Sequence, residues 1–232
     1  MDLARQWSAS TWVTSLLLTV SRNVAGSNAP RIGVLALQGD VREHSVVLRE
    51  LGCEVVEIRV PAQVEGIDGL VIPGGESSVM DKLARIFGLA EPLREAIAAG
   101  LPVLGTCAGL IMVANHIEDA IAGQENFGGL DVTVRRNAFG AQVDSFETSV
   151  TVEGLSGPAL EVAFIRAPEV TAVGPGARVI ASLGDGRVVG VAGGNIIGVA
   201  FHPEITGEDR IHRMFLEVVA QRSLQRQAAL DA

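Results

Sequence analysis

The sequence predicts an α/β fold in which a mostly parallel central sheet carries helices on both faces and ends in an antiparallel C-terminal portion. Three observations predict it. Between Arg31 and Asn115, short apolar runs of strand length alternate with stretches of helical periodicity. Past Gly123 the apolar runs shorten and are separated by Gly and Pro, the texture of hairpins. Finally, 232 residues at 48% hydrophobic and 19% charged suffice for one sizeable core and exclude a disordered chain.

Each element follows from local chemistry. Ile32 to Leu37 reads as a first strand, and Val41 to Leu51 carries helical spacing until Gly52 stops it. Glu54 to Val60 reads as a strand ended by Pro61, and Gly69 to Ile72 as a buried strand ended by Pro73-Gly74-Gly75. Helices are expected over Ser77 to Phe87 and Pro92 to Ala99, then a strand at Leu101 to Leu104 and a helix at Ala108 to Asn115. The later strands are Val132 to Val134, Val150 to Val152, Val162 to Ile165, Val179 to Ser182, Arg187 to Ala192 and Ile196 to Ala200. The last two are joined by Gly193-Gly194-Asn195, a hairpin connection. Asp209 to Gln221 closes the core as an amphipathic helix, leaving 223–232 as a C-terminal tail.

Residues 1–30 stand apart and are expected to be a disordered extension, or the product of a start codon assigned too early. Their apolar stretch, Thr11 to Val20, falls well short of the ~20 residues that span a bilayer. No membrane association is expected. A signal-peptide reading is weak because Asp2 and interspersed Ser and Thr dilute the apolar run. The formal charge of -9 and the lack of any basic run exclude a nucleic-acid partner, since phosphate binding rests on Lys and Arg. Two cysteines are too few for a disulfide framework, which suggests a reducing compartment and a cytoplasmic protein.

The candidate chemistry centres on Gly105-Thr106-Cys107-Ala108-Gly109, between a buried strand and a helix. This is the setting of a nucleophile elbow, with cysteine in place of serine. The glycines relieve crowding in the turn, and unpaired N–H groups at the helix start favour a thiolate. A buried structural cysteine is the commoner fate of a free thiol, and Cys53 is read that way. Of the four histidines, His202 leaves the end of an apolar strand, where α/β proteins place their sites. In His202-Pro203-Glu204, extended geometry before proline puts positions two apart on one side, so Glu204 can hold the imidazole. Taken alone, the pair could equally be solvated surface residues. Pro73-Gly74-Gly75-Glu76-Ser77 is a strand-to-helix turn whose bare N–H groups could face an oxyanion, although it could also be an ordinary Gly-rich turn. It lacks the Gly-Lys-Ser/Thr ending of a P-loop.

Together these residues resemble the class I, or triad, glutamine amidotransferases, which pair a Gly-x-Cys-x-Gly elbow with a late His-Pro-Glu. Within that class the chain is similar to the glutaminase subunits of pyridoxal 5'-phosphate synthases. The segments that carry the likeness are Ile32 to His44, Pro73 to Ser78, Gly105 to Leu110, Arg136 to Gly140, Gln142 to Glu147, Phe164 to Pro168 and Phe201 to Glu204. The resemblance implies a three-layer, flavodoxin-like glutaminase domain over 31–222.

It further implies that Cys107 attacks the side-chain amide of L-glutamine, with His202 as base and then acid and Glu204 orienting it. Gly75, Glu76 and Ser77 would form the glutamine-binding loop, and Arg136, Ile165 and Arg166 would bind or frame the substrate. The backbone of Gly75 and Ala108 would serve the oxyanion. Without the resemblance, Arg136 and Arg166 read as exposed cations and Ile165 as core. Also implied are a synthase subunit as partner, docked in part on the Gln38-Gly39-Asp40 turn and the helix from Val41, and no cofactor or metal on this chain. Three rivals remain at this point: the glutaminase subunit of another pathway, a cysteine peptidase-like hydrolase, and an inactive regulatory subunit.

Overall fold

The structure is a computed structural model and describes residues 29–136 and 145–231. The N-terminal residues 1–28, with Trp7 and Trp12, lie outside the described residues, as do 137–144, which hold most of the Arg136-to-Gly140 likeness and the first half of the Gln142-to-Glu147 one.

The parallel half is built from β1 (Arg31–Leu35), α1 (Val41–Glu50), β2 (Glu54–Ile58), β3 (Gly69–Ile72), α2 (Ser77–Ile86), α3 (Ala90–Ala98), β4 (Val103–Thr106) and α4 (Ala108–Val113). The rest comprises β5 (Ala114–Glu118), β6 (Leu130–Arg135), β7 (Ser145–Val150), β8 (Leu160–Ile165), β9 (Glu169–Val173), β10 (Arg178–Ser182), β11 (Val188–Gly193), β12 (Ile196–Val199) and α5 (Arg210–Leu230).

The main sheet runs β2-β1-β3-β4-β12-β11-β9-β6-β5, with β10 on β11 and β7-β8 as a separate hairpin. Its first five positions follow the doubly wound order in which ligands bind at the carboxyl ends of the strands. Strands β2, β1, β3, β4 and β12 are mutually parallel, whereas β12-β11, β11-β9 and β9-β6 are antiparallel. Every residue of β3, β4 and β12 is buried, which requires cover on both faces of the sheet. The mostly parallel sheet with an antiparallel C-terminal part is therefore the architecture expected from sequence.

Helix α1 is amphipathic, burying His44, Ser45, Val47 and Leu48, and ends where Gly52 takes a φ of 84°. Helix α4 is buried all round, as its sequence Ala-Gly-Leu-Ile-Met-Val requires. Helix α5 packs Ile211, His212, Phe215 and Val219 inward at spacings that keep one face on the sheet. Phe164 and Phe201 meet edge to face at 5.7 Å, welding the β7-β8 hairpin to the segment that follows β12.

Some boundaries differ from expectation, each for a local reason. The expected helix to Asn115 stops at Val113 and gives way to β5, an edge strand parallel to β6 that its polar Asn115 and His116 disguise. The five residues of β9, between Pro168 and Gly174, are too few to show a period. Helix α5 continues past Gln221 to Leu230, because the Ala, Gln, Arg and Leu there are strong helix formers needing no buried face. Among the described residues, no helix is long and apolar enough to cross a membrane.

Candidate active site

The strand order decides where the chemistry meets. Because β4 and β12 are neighbours in register, Thr106 opposite Val199, the residues just beyond their carboxyl ends come together: Cys107 from one, His202 and Glu204 from the other. The Cys107 N–H donates to the Val199 carbonyl at 2.8 Å, which locks the turn to β12. Cys107 itself has φ 48° and ψ -103°, a conformation strained for any residue with a Cβ. The turn survives because α4 lies unusually close to β3. A Cβ at Gly109 would sit 1.9 Å from the Ile72 carbonyl oxygen, so only glycine fits.

His202 is held on all sides. Its N–H donates to the Ala163 carbonyl at 2.9 Å, tying it to β8. Its Nδ1 lies 2.8 Å from Glu204 Oε1 and 3.3 Å from Asp40 Oδ2. Burial works against charge on this imidazole, yet Asp40, Cys107 and Glu204 outweigh it and its pKa is pushed up to about 12. Burial likewise pushes the Glu204 carboxyl up, while the hydrogen bond with His202 and its charge pull the other way. At 2.8 Å between a carboxylate oxygen and a cationic ring nitrogen, the ion pair governs, and Glu204 is ionised beside imidazolium.

Asp40, His202 and Glu204 also bring their donor atoms within 4.8 Å of one another, close enough for a metal. Two carboxylates on one imidazole nitrogen account for that spacing without one. A nucleophile, a base and a base-orienting carboxylate in this arrangement suit acyl transfer through a covalent intermediate.

Cys107, His202 and Asp40 line a cavity of about 160 Å³ with Gly75, Glu76, Ser77, Ile111, Arg136, Ile165, Arg166 and Ile205, room for several waters or one small polar molecule. Eight of the ten sequence-identified site residues border it; the exceptions are Glu204, buried behind His202, and the backbone position Ala108, directly after the nucleophile. The Cys107 sulfur lies 3.8 Å from the Ile165 carbonyl oxygen.

Two naive expectations fail. Arg136 is buried, not an exposed cation: it donates to Glu76 Oε1 at 2.7 Å and to Gln124 Oε1 at 2.8 Å. Ile165 is half-buried at the cavity wall, not core, while Arg166 is exposed as its charge suggests, at a φ of 46°. Glu76 caps α2 by accepting from the Ser78 N–H, so Arg136 braces the loop that ends there.

Sequence reasoning missed four participants. Gln124 links Arg136 to Ser77, accepting from the first and donating to the Ser77 hydroxyl at 3.1 Å. Nothing in the sequence marks it. Asp40 contacts the imidazole itself, whereas the turn that holds it was read as a docking surface. Behind the triad, His44 Nε2 lies 3.0 Å from Thr106 Oγ1 and 3.5 Å from Glu204 Oε1. The signal for Asp40 and His44 was their i, i+4 spacing at the start of α1, which puts both on one face. Cys53, by contrast, is a buried core thiol whose pKa burial pushes up, as expected of a structural cysteine.

Comparison with known proteins identifies the family. Residues 34–221 match the SNO glutamine amidotransferase family. A pyridoxal 5'-phosphate synthase subunit PdxT of Leifsonia xyli subsp. xyli is 60% identical over 199 residues, 86% of this chain and 100% of that one. The PdxT of Parafrankia sp. is 54% identical, over 83% of this chain and 94% of its own. A crystal structure of a glutamine amidotransferase superposes with a TM-score of 0.76 at 45% identity, covering 82% of this chain and 98% of that one. A further glutamine amidotransferase, from Thermotoga maritima, has a TM-score of 0.56 at 16% identity, covering 84% and 86%, and speaks for the fold alone. With the family match spanning most of the chain and relatives above half identity, the chain belongs to the SNO glutamine amidotransferase family.

Proposed function

We propose that this chain is the glutaminase subunit of a pyridoxal 5'-phosphate synthase, releasing ammonia from L-glutamine for vitamin B6 synthesis. The PdxT relatives described above bear the name of that synthase subunit, and the observation that carries the chemistry is the meeting of Cys107 and His202 on one small polar cavity, with Glu204 on the far side of the imidazole. The glutaminase domain spans 31–222, with 1–30 as an extension and 223–232 as a tail.

The reaction follows from the charges on the page. With His202 cationic, Cys107 attacks as thiolate: its sulfur bonds to the glutamine side-chain carbonyl carbon, and that oxygen becomes an oxyanion. The backbone N–H groups of Gly75 and Ala108 are the proposed donors to it. His202 then protonates the departing nitrogen through Nε2, the C–N bond breaks, and ammonia leaves behind a thioester. Neutral His202 next takes a proton from water, whose oxygen attacks the thioester. The carbon–sulfur bond breaks, regenerating thiolate and imidazolium and releasing glutamate. Glu204 keeps Nδ1 protonated throughout. Glu76, Ser77, Arg136, Ile165 and Arg166 hold the substrate, the Arg136 and Arg166 cations suiting its α-carboxylate.

The partner is a pyridoxal 5'-phosphate synthase subunit, docked in part over the Gln38-Gly39-Asp40 turn and the exposed side of α1. Glutamate release from L-glutamine, with and without that subunit, tests the reading. Activity should need the partner and vanish in Cys107→Ala. Activity that survives Cys107→Ala refutes the triad, and Cys107-dependent activity indifferent to this partner refutes the pathway.

A further inference from the structure

Behind the cavity lies a polar chain that the reaction above does not use. His44 of α1 and His212 of α5 are both fully buried, and His44 Nδ1 lies 2.9 Å from His212 Nε2. The other ring nitrogen of His44 faces two oxygens, Thr106 Oγ1 and Glu204 Oε1. Thr106 directly precedes the nucleophile. Glu204 Oε1 therefore bonds His202 and lies close to His44, while its second oxygen is buried with no hydrogen-bond partner among the described residues.

The protonation of this chain can be worked out. Burial, with the neighbouring His212 and His202, holds His44 well below the ordinary imidazole range, and burial brings His212 down to about 4, so both are neutral near pH 7. Two neutral rings share one proton at their junction. If His44 carries it on Nδ1, then Nε2 turns a bare lone pair toward the Glu204 carboxylate 3.5 Å away. His212 must then be protonated on Nδ1. The Glu208 backbone lies on that side and lends some support, yet that atom has no hydrogen bond of ordinary geometry. A buried N–H without a partner costs about 1–3 kcal/mol. In the opposite arrangement His212 Nε2–H donates to His44 Nδ1, and His44 Nε2–H points at the carboxylate and the threonine hydroxyl. Only an acceptor lone pair on His212 goes unused. The second arrangement wins at His44, where it replaces a lone pair facing a carboxylate by a donor, and that outweighs the weak Glu208 support lost at His212.

We propose that His44, as its Nε2–H tautomer, is a positioning residue for the glutaminase reaction: it donates to Thr106 Oγ1 with the N–H turned toward the Glu204 carboxylate 3.5 Å away, and that attraction helps hold the carboxylate against His202. The inference rests on the triad reading above and names the group that keeps its third member in place. Without His44, the buried Glu204 carboxylate would lose the polar N–H that faces it beside its hydrogen bond with His202, so it would take up a proton or turn away. Either change removes its grip on the tautomer of His202 while leaving the glutamine-binding loop untouched.

The test compares His44→Leu with His44→Gln, whose amide nitrogen reaches the place of Nε2, in the complex with the synthase subunit and L-glutamine as substrate. By analogy with groups that orient metal-bound histidines, His44→Leu should lower kcat by about 10–100-fold. KM should stay unchanged and the acid limb of the pH profile should move upward, with His44→Gln recovering most of the loss. Wild-type kcat in His44→Leu overturns the proposal. So does a His44→Gln as slow as His44→Leu, which would mean that shape and not the donor matters. Nitrogen-15 spectra of histidine-labelled wild-type protein give an independent reading that needs no variant: a proton on His44 Nε2 alone is expected, and a proton on Nδ1 overturns it. Survival of activity in Cys107→Ala would instead strike the triad itself, so the two failures are distinguishable.

Discussion

The backbone at Cys107 makes a prediction whose sign is informative. At φ 48° and ψ -103° a side chain is strained, at a cost of about 1–3 kcal/mol. Comparing Cys107→Ala with Cys107→Gly isolates that strain, because both variants lose the sulfur and its contacts. At an ordinary buried position glycine would be the less stable of the two. It gives up ~0.4–1 kcal/mol through the freer unfolded chain and up to ~0.8 kcal/mol of buried methyl. Here release of strain offsets both losses, so Cys107→Gly should match Cys107→Ala within about 1 kcal/mol or exceed it. Both should be inactive. Urea unfolding is best followed by far-ultraviolet circular dichroism, because the chain has no tyrosine and both tryptophans lie in the first thirty residues. A glycine variant less stable than alanine by well over 1 kcal/mol would mean that the turn is relaxed and that the strain argument is wrong.

Two further outcomes follow from packing and burial. Gly109→Ala would drive a Cβ to 1.9 Å from the Ile72 carbonyl, so α4 and β3 must separate. We expect a loss of about 3 kcal/mol or more with collapse of activity, and wild-type unfolding midpoints in that variant would contradict it. His212 titrates at about 4 when folded and near 6.5 when unfolded, so between those values the unfolded chain binds more protons. Stability must therefore fall as pH drops through this window. For His212 alone the loss from pH 7 to pH 5 is about 2 kcal/mol, and denaturation of His212→Gln at the two pH values should show that much less dependence.

The parallel half of the sheet was legible because buried strands and amphipathic helices alternate there with Gly and Pro at their ends. What escaped was short or locally ambiguous. Strand β5 exists only because β6 offers an edge to the polar Asn115 and His116, a tertiary override of propensity. The nucleophile and the His-Pro-Glu segment could be found because their chemistry is bound to a local motif. Gln124 and Thr106 could not, since their roles come from where the chain places them and not from what precedes or follows them. The burial of Arg136 belongs to the same class: its partners Glu76 and Gln124 come from distant segments.

The adjacency of β4 and β12 has a consequence for how the protein matures. Strand β12 inserts between β4 and β11, so the entire antiparallel half must be synthesised before the parallel half is closed. Until then a growing chain displays a thiol with no base beside it and an open sheet edge along β4, the kind of edge that invites pairing with other chains. Closing so long a loop is slow because its entropy is lost before any contact is gained. The hydrolytic centre can therefore form only after β12 has been synthesised, and no fragment ending short of β12 can assemble it.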